Sequence, residues 1–245
     1  MTSPRVGVVT QARTTSTRLP GKVLREASGR TMLDHHLDRL EAAGLDVYVA
    51  TTVNATDDPL VELAGRRGVP VFRGSEQHVL SRFHGCAVEN GLDVVVRVTS
   101  DCPLVDGALV RHGVDLWLER DDPDVYVSNG LVRTYPRGLD FEVFSFAALD
   151  EAMRLATDPA DLEHVTPYLH QDRNGRMHLV DVTSPVDRSA YRITLDTEDD
   201  LRLITTLIEQ HDALGLDAEG LGALLDAHPE LVAVNAHVEQ KKLGS

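Results

Sequence analysis

Apolar positions in the first hundred residues follow two spacings that alternate along the chain. Residues 5–10 form a nearly continuous apolar run, which is typical of a buried strand, whereas apolar residues between 32 and 40 recur at helical spacing after Thr31. Thr31 is of a residue type that caps helices. The same reasoning predicts strands at 47–51, 69–72 and 94–98 and helices at 58–67 and 78–89. This alternation predicts an α/β fold, a Rossmann-like, mostly parallel sheet flanked by helices.

Three glycines support the helix ends in this half. Gly44, Gly68 and Gly91 each follow a predicted helix, where a residue in the left-handed conformation is favoured. The helix boundaries therefore rest on backbone chemistry as well as on periodicity.

The pattern is more mixed beyond residue 101 and becomes regular again near residue 191. We expect one domain, residues 1–245, in which residues 125–190 form a smaller mixed lobe. A strand at 191–195 should return to the main sheet before the helix at 198–210. The other predicted elements are helices at 105–119, 147–156 and 218–227 and strands at 125–128, 141–144 and 177–182.

Composition and charge exclude several classes of function. The formal net charge of -15 argues against a nucleic-acid partner, because such binding depends on many Lys and Arg contacts. Cys86 and Cys102 lack the spacing of a disulfide scaffold or a structural zinc site. No apolar run is long enough for a signal peptide or a membrane span, so we expect a soluble, cytoplasmic protein without a membrane partner.

The connection between the first strand and the first helix, residues 11–22, concentrates cations. Its sequence QARTTSTRLPGK places Arg13, Arg18 and Lys22 among small hydroxyl residues, with Pro20 and Gly21 forming a turn before the lysine. Open α/β sheets bind phosphates at this position. It is neither a Walker loop nor a dinucleotide fingerprint. We predict that it binds a triphosphate, the alternative being an exposed basic loop.

Five further segments carry a resemblance to a known family: DDPLVELAGRRGVPVFRGSEQHVLSRF, VVRVTSDCPLVD, RTYPRGLDFEVFS, EHVTPY and ITLDTEDDLRLI. With the loop, they resemble CTP-using cytidylyltransferases of the spore-coat polysaccharide SpsF type, relatives of the acylneuraminate and 3-deoxy-manno-octulosonate cytidylyltransferases. The family usually has Met-Gly where this chain has Thr14 and Thr15. The resemblance implies a nucleotidyltransferase fold of the GT-A-like kind and CTP as substrate, and it is compatible with a homodimer.

The resemblance also assigns roles to residues. Asp101 and Asp196 each end a predicted strand, and together they would hold Mg²⁺ on the triphosphate; capping of the next helix is the alternative for each. Arg13, Arg18 and Lys22 would neutralise charge during catalysis. The predicted nucleotide-binding residues are Gln11, Ala12, Ser16, Arg73, Gly74, Ser75 and Thr99.

The acceptor is assigned to the 125–190 lobe, which would also serve dimerisation. Arg133 and Arg137 flank Tyr135 and Pro136, a grouping suited to an anionic group, while Asp140, Glu163 and His164 would orient them or accept a proton. A solvated salt-bridge network is the alternative. We therefore expect Mg²⁺-dependent transfer of CMP from CTP to a phosphonate or an acidic sugar, with release of pyrophosphate. The absence of an evident general base favours an acceptor whose oxygen is already anionic.

Two other functions remain open from the sequence. A nucleotide-sugar glycosyltransferase would use the acidic motif Asp122-Pro-Asp124, although this motif lies in a run typical of a solvated loop. A non-catalytic nucleotide-binding module would keep the loop but lose turnover.

Overall fold

The computed structural model describes residues 3–240. Its strands are β1 (Val6–Gln11), β2 (Glu26–Ala27), β3 (Arg30–Thr31), β4 (Val47–Thr52), β5 (Val71–Gly74), β6 (Val94–Thr99), β7 (Val125–Ser128), β8 (Glu142–Ser145) and β9 (His178–Asp181). Seven of them form one sheet in the order β5-β4-β1-β6-β8-β7-β9, and β2 and β3 form a short separate hairpin. The β6–β8 and β7–β8 pairs are antiparallel and the other pairs of the large sheet are parallel. The α/β fold with a mostly parallel sheet is confirmed.

Helices cover both faces of the sheet. They are α1 (Met32–Ala42), α2 (Asp58–Arg67), α3 (Val79–Asn90), α4 (Gly107–Arg120), α5 (Phe146–Leu155), α6 (Pro159–His164), α7 (Pro167–His170), α8 (Glu198–Gln210), α9 (Ala218–Ala227) and α10 (Pro229–Ala233). Within the described part of the chain, no helix combines the length and apolar character needed to cross a membrane.

The core has two layers because successive strand residues point to opposite faces. Val8 and Val96 belong to the larger hydrophobic cluster, beneath α1, α2, α4 and α8. Val9 and Val95 belong to the second cluster, which α3 and α5 cover. The end of β1 thus lies between two packed layers, and this arrangement fixes the start of the 11–22 loop.

Local helix signals from the sequence are confirmed. Thr31 caps α1 in a capping box with Asp34, and Gly68 and Gly91 close α2 and α3 with φ of 72° and 60°. The predicted bounds of α2, α8 and α9 match those observed. These features depend on residues within one helical turn of each other, which explains why sequence alone predicts them.

The predicted strand at 191–195 is wrong. This segment makes one isolated parallel bridge, between Arg137 and Arg192, and no ladder with the main sheet. Its apolar side chains Ile193 and Leu195 are buried, as in a strand of the core, but a ladder also needs a partner strand along its length. The three strands of the 125–190 region instead complete the main sheet through the β6–β8 pair.

Candidate active site

The 11–22 loop leaves the carboxyl end of β1 and is held in a defined shape. The Gly21 amide donates to the Thr14 carbonyl at 2.9 Å, and Gly21 has a φ of 65°, which places a 3₁₀ turn at Lys22–Leu24. Only glycine adopts this backbone conformation readily. The turn therefore sets the position from which the Lys22 side chain extends.

Thr14 and Thr15 attach the loop to its surroundings. The Thr14 amide and hydroxyl both donate to Asp57, at 2.8 and 2.7 Å, and the Thr15 hydroxyl donates to Glu76 at 2.6 Å. Burial would raise the pKa of Asp57, but hydrogen bonds from Thr52 and Thr14 lower it below its ordinary value. The two threonines thus give this loop side-chain anchors that Met-Gly would lack.

Lys22 lies between two carboxylates from distant parts of the chain. Its ammonium donates to Asp101 and to Asp196, at 2.8 Å in each case. The Leu195 amide donates to the Asp101 carbonyl at 2.8 Å, which brings the two acidic residues side by side. The structure therefore brings together the two residues that the sequence assigns to a metal pair.

The pKa values of Lys22 and Asp101 are shifted by the ion pairs that the Lys22 ammonium makes with both carboxylates. Burial would lower the pKa of Lys22, but Asp101 and Asp196 raise it above its ordinary value. Burial would likewise raise the pKa of Asp101, but the charge and hydrogen bond of Lys22 lower it to about 2. Asp196 also pairs with Arg18 at 3.0 Å and with Arg192 at 2.7 Å. Lys22 and Asp101 are therefore both charged at neutral pH.

Arg18, Lys22, Asp101 and Asp196 line a cleft of about 660 Å³, which we call the main cleft. Within it lie most of the predicted catalytic, nucleotide-binding and metal residues, together with Glu163 and His164, which the sequence assigned to the acceptor. It is lined by Gln11, Ala12, Arg13, Ser16, Thr17, Arg18, Lys22, Val23, Glu76, Gln77, Val79, Arg82, Thr99, Asp101, Glu163, His164 and Asp196.

Arg73, Gly74 and Ser75 are not among the residues that line this cleft. The Arg73 guanidinium donates to the Thr52 and Asn54 carbonyls at 2.9 Å and pairs with Asp58 at 2.8 Å. These bonds hold the end of β5 to the neighbouring strand and helix. Nucleotide binding by the three residues stays a prediction.

A second cavity of about 470 Å³ shares Thr99 with the main cleft. Arg133 and Asp140 line it and form a salt bridge, and the Gly138 amide also donates to Asp140, at 2.9 Å. Arg137 lies elsewhere, in a third cavity of about 110 Å³. The structure thus places one of the two predicted acceptor arginines in the second cavity.

The second cavity also contains a buried network that the sequence reasoning missed. Arg97 pairs with Glu142, which accepts further hydrogen bonds from the Tyr126 and Thr166 hydroxyls at 2.5 and 2.7 Å. Burial would raise the pKa of Glu142, but Arg97 and the two hydroxyls lower it. The sequence does carry a signal for this network: each of two apolar strands, VVVRV and FEVF, contains one charged residue. These residues, Arg97 and Glu142, face each other in the β6–β8 register.

A strained turn connects the two cavities. Val165 is fully buried with φ 73° and ψ −51°, and the Thr166 amide donates to the His164 carbonyl at 2.9 Å across it. A β-branched residue rarely adopts this conformation, which costs on the order of 1–3 kcal/mol. The turn places His164 at the main cleft and Thr166 on Glu142.

Comparison with known proteins identifies this architecture. The cytidylyltransferase family model matches residues 8–217. The spore coat polysaccharide biosynthesis protein SpsF of Bacillus subtilis is 30% identical over 91% of this chain and 94% of its own.

Two solved structures are also similar. A cytidylyltransferase from Leptospira borgpetersenii superposes with a TM-score of 0.89 at 30% identity, over 98% of this chain and 100% of that one. CMP:2-keto-3-deoxy-manno-octonic acid synthetase in complex with CTP shares the fold, with a TM-score of 0.58 at 22% identity, over 84% and 99% of the two chains. The protein therefore belongs to the cytidylyltransferase family and is a nucleotidyltransferase that transfers CMP from CTP to an acceptor.

Proposed function

We propose that CTP binds in the main cleft with its triphosphate along the 11–22 loop, and that Mg²⁺ binds there with it. The observation that carries this proposal is the meeting of Lys22, Asp101 and Asp196 at one point. Mg²⁺ is commonly held by one or two carboxylates together with substrate phosphates, and two carboxylates meet here. No cluster of three or more His, Cys, Asp or Glu ligands occurs within residues 3–240, so substrate oxygens would complete the coordination. Bound Mg²⁺ would offset the negative charge of the triphosphate.

In the proposed reaction an acceptor oxygen attacks the α-phosphorus of CTP, a new P–O bond forms, and the bond to pyrophosphate breaks. Arg13, Arg18 and Lys22 line the cleft and would neutralise the charge that accumulates on the phosphate oxygens. On binding, the phosphates would replace Asp196 as the partner of Arg18 and Lys22. The protein's contribution is positioning and electrostatic stabilisation.

We place the acceptor in the second cavity and propose an acidic sugar. Arg97 and Arg133 each have a carboxylate of their own, Glu142 and Asp140, so the charges there are already balanced. A phosphonate, like a phosphate, carries roughly two negative charges near neutral pH and would need cations that are not otherwise engaged. A sugar acid carries one charge and several hydroxyls, and the buried Arg97 Nε and Arg133 Nη1 have no partner within the described residues.

A sugar hydroxyl must lose a proton, and we propose that His170 is the base that takes it. His170 lines the second cavity, and burial lowers its pKa, so its imidazole is neutral at pH 7. Both oxygens of Asp140 and both of Glu142 are already bonded to Arg133, Gly138, Arg97, Tyr126 or Thr166. A neutral imidazole is the remaining base of suitable strength.

Because CTP is a cytoplasmic metabolite, we also propose a cytoplasmic enzyme. A homodimer follows from the resemblance to the family and is tested by sedimentation of the purified chain.

The decisive experiment is incubation with Mg²⁺, each nucleoside triphosphate and a panel of sugar acids and phosphonates, with products identified by mass. A CMP-sugar acid formed with release of pyrophosphate supports the proposal. A CMP-phosphonate would support the enzyme class but reject the acceptor assignment, and tight CTP binding without turnover would indicate a non-catalytic module. Release of nucleoside diphosphate from a nucleotide sugar would indicate a glycosyltransferase, for which Asp122 and Asp124 are poorly suited because they pair with His178 and Arg176.

A further inference from the structure

One arginine of the main cleft has no assigned role. Arg82 lies on the second turn of α3, lines the main cleft and is only 2% exposed. Within residues 3–240 it forms no salt bridge, whereas the two other buried arginines, Arg188 and Arg192, each pair with two carboxylates. Arg192, for example, is 7% exposed and pairs with both Asp196 and Asp200.

The surroundings of Arg82 hold its stem in place but provide no salt-bridge partner for its charge within residues 3–240. Its Nη1 donates to the Ser75 carbonyl at 3.1 Å, and its Nε is buried without a partner among the described residues. A Cβ at Gly74 would lie 2.8 Å from the Arg82 Cγ, so the glycine makes room for the side chain. Gly74 and Ser75 therefore seat Arg82 at the cleft.

The nearby carboxylates are engaged with other groups. Asp57 accepts hydrogen bonds from Thr14 and Thr52, and Glu76 accepts from Thr15 and Asn54. Burial lowers the pKa of Arg82 and the neighbouring charge of Arg13 lowers it further, whereas the charges of Asp57 and Glu76 offset only part of this effect. A guanidinium in this position has lost its hydration without gaining a carboxylate in direct contact among residues 3–240, which is unfavourable for the free protein.

An anionic ligand would supply the missing charge. We propose that Arg82 binds the triphosphate of CTP from α3, as a further cation of the main cleft beside those of the 11–22 loop. This inference rests on the proposed binding of CTP in the main cleft. It gives the Gly74-Ser75 turn a function, which is to position a phosphate-binding arginine that arises seven residues later. The competing explanation is that Arg82 only anchors that turn through Ser75.

The two explanations predict opposite changes in stability. If Arg82 is a ligand-binding residue, Arg82→Met removes a buried charge that has no salt-bridge partner among residues 3–240, and the melting temperature of the free protein stays equal or rises. If Arg82 is only an anchor, loss of its hydrogen bond lowers the melting temperature and leaves CTP affinity unchanged. Arg82→Lys keeps a charge and provides a second variant should the methionine variant not fold.

The experiment measures affinity for CTP with Mg²⁺, and for cytidine, by calorimetry, with the exposed Arg66→Met as the matched control. We expect Arg82→Met to weaken CTP binding by about 10- to 100-fold and to leave cytidine binding unchanged, because a charged hydrogen bond to phosphate is lost. Arg82→Lys should weaken CTP by several-fold.

Two results would overturn the inference: CTP affinity within twofold of wild type in both Arg82 variants, or an equal loss for cytidine and CTP. If the wild type and Arg66→Met also failed to bind CTP, the proposed function itself would be wrong. The failure of the one is therefore distinguishable from the failure of the other.

Discussion

Charged side chains are paired differently in the main cleft and in the second cavity. Asp196 of the main cleft is shared by Arg18 and Lys22, which also line the cleft, and by Arg192, which lies outside it. In the second cavity each arginine has its own carboxylate, and Glu142 is fixed by two further hydroxyls. Shared partners can be exchanged when a ligand brings new charges, whereas dedicated pairs stay in place and shape a pocket. The first arrangement suits a polyphosphate with its metal, and the second suits a mostly uncharged acceptor.

The largest expected effect is the loss of turnover when a shared charge of the main cleft is removed. Lys22→Ala should lower turnover by about 100- to 1,000-fold, because it removes a cation directed at the reacting phosphates. Pyrophosphate release from CTP, at saturating acceptor, measures this. Lys22→Arg keeps the charge and should lose less; near-normal turnover of the alanine variant would remove Lys22 from the mechanism.

Breaking a dedicated ion pair of the second cavity should mainly lower the stability of the protein. Arg97→Met leaves Glu142 buried without its cation and should cost about 3 kcal/mol of the free energy of unfolding. Urea denaturation at pH 7 measures it. The double variant Arg97→Met, Glu142→Leu should recover part of the loss, since no buried charge is then unmatched. A loss below about 0.5 kcal/mol would mean that this pair is as exchangeable as those of the main cleft.

The proposed base of the second cavity gives a prediction about pH. Burial lowers the pKa of His170, so its proton-accepting form persists below the ordinary histidine value of about 6.5, and activity should fall only at more acidic pH. His170→Gln should lower turnover by about 100-fold and abolish this acidic limb. A pH–rate profile that is the same in both proteins would favour an acceptor that is already anionic, such as a phosphonate.

The smallest expected effect concerns the turn after β5. Gly74→Ala should displace the Arg82 stem and raise the KM for CTP by several-fold, with a loss of about 1–3 kcal/mol in stability from overpacking. Gly65→Ala on α2, where an added Cβ would meet nothing within 4 Å, is the control and should be neutral or slightly stabilising. An unchanged KM in the Gly74 variant would separate this turn from the main cleft.

The sequence indicates candidate side chains where neighbours along the chain define them. The 11–22 loop is recognisable because its cations, small residues and turn are consecutive. Arg133 and Arg137 looked equivalent for the same reason, yet they line different cavities. The bridge of Arg137 to Arg192 places it beside the 191–195 segment, and no local pattern encodes that pairing.

The sequence by itself determined the alternation of strands and helices, the caps at Thr31, Gly68 and Gly91, and the position of the loop. Hydrophobic periodicity and backbone preferences act over a few residues, so they can be read locally. Only the tertiary structure decided which charges meet. Lys22 is 79 and 174 positions away from Asp101 and Asp196, and Arg82 forms no salt bridge among residues 3–240. Such contacts depend on the order of strands in the sheet and on the packing of helices against it, because a charge pair forms between whichever side chains the folded chain brings within reach.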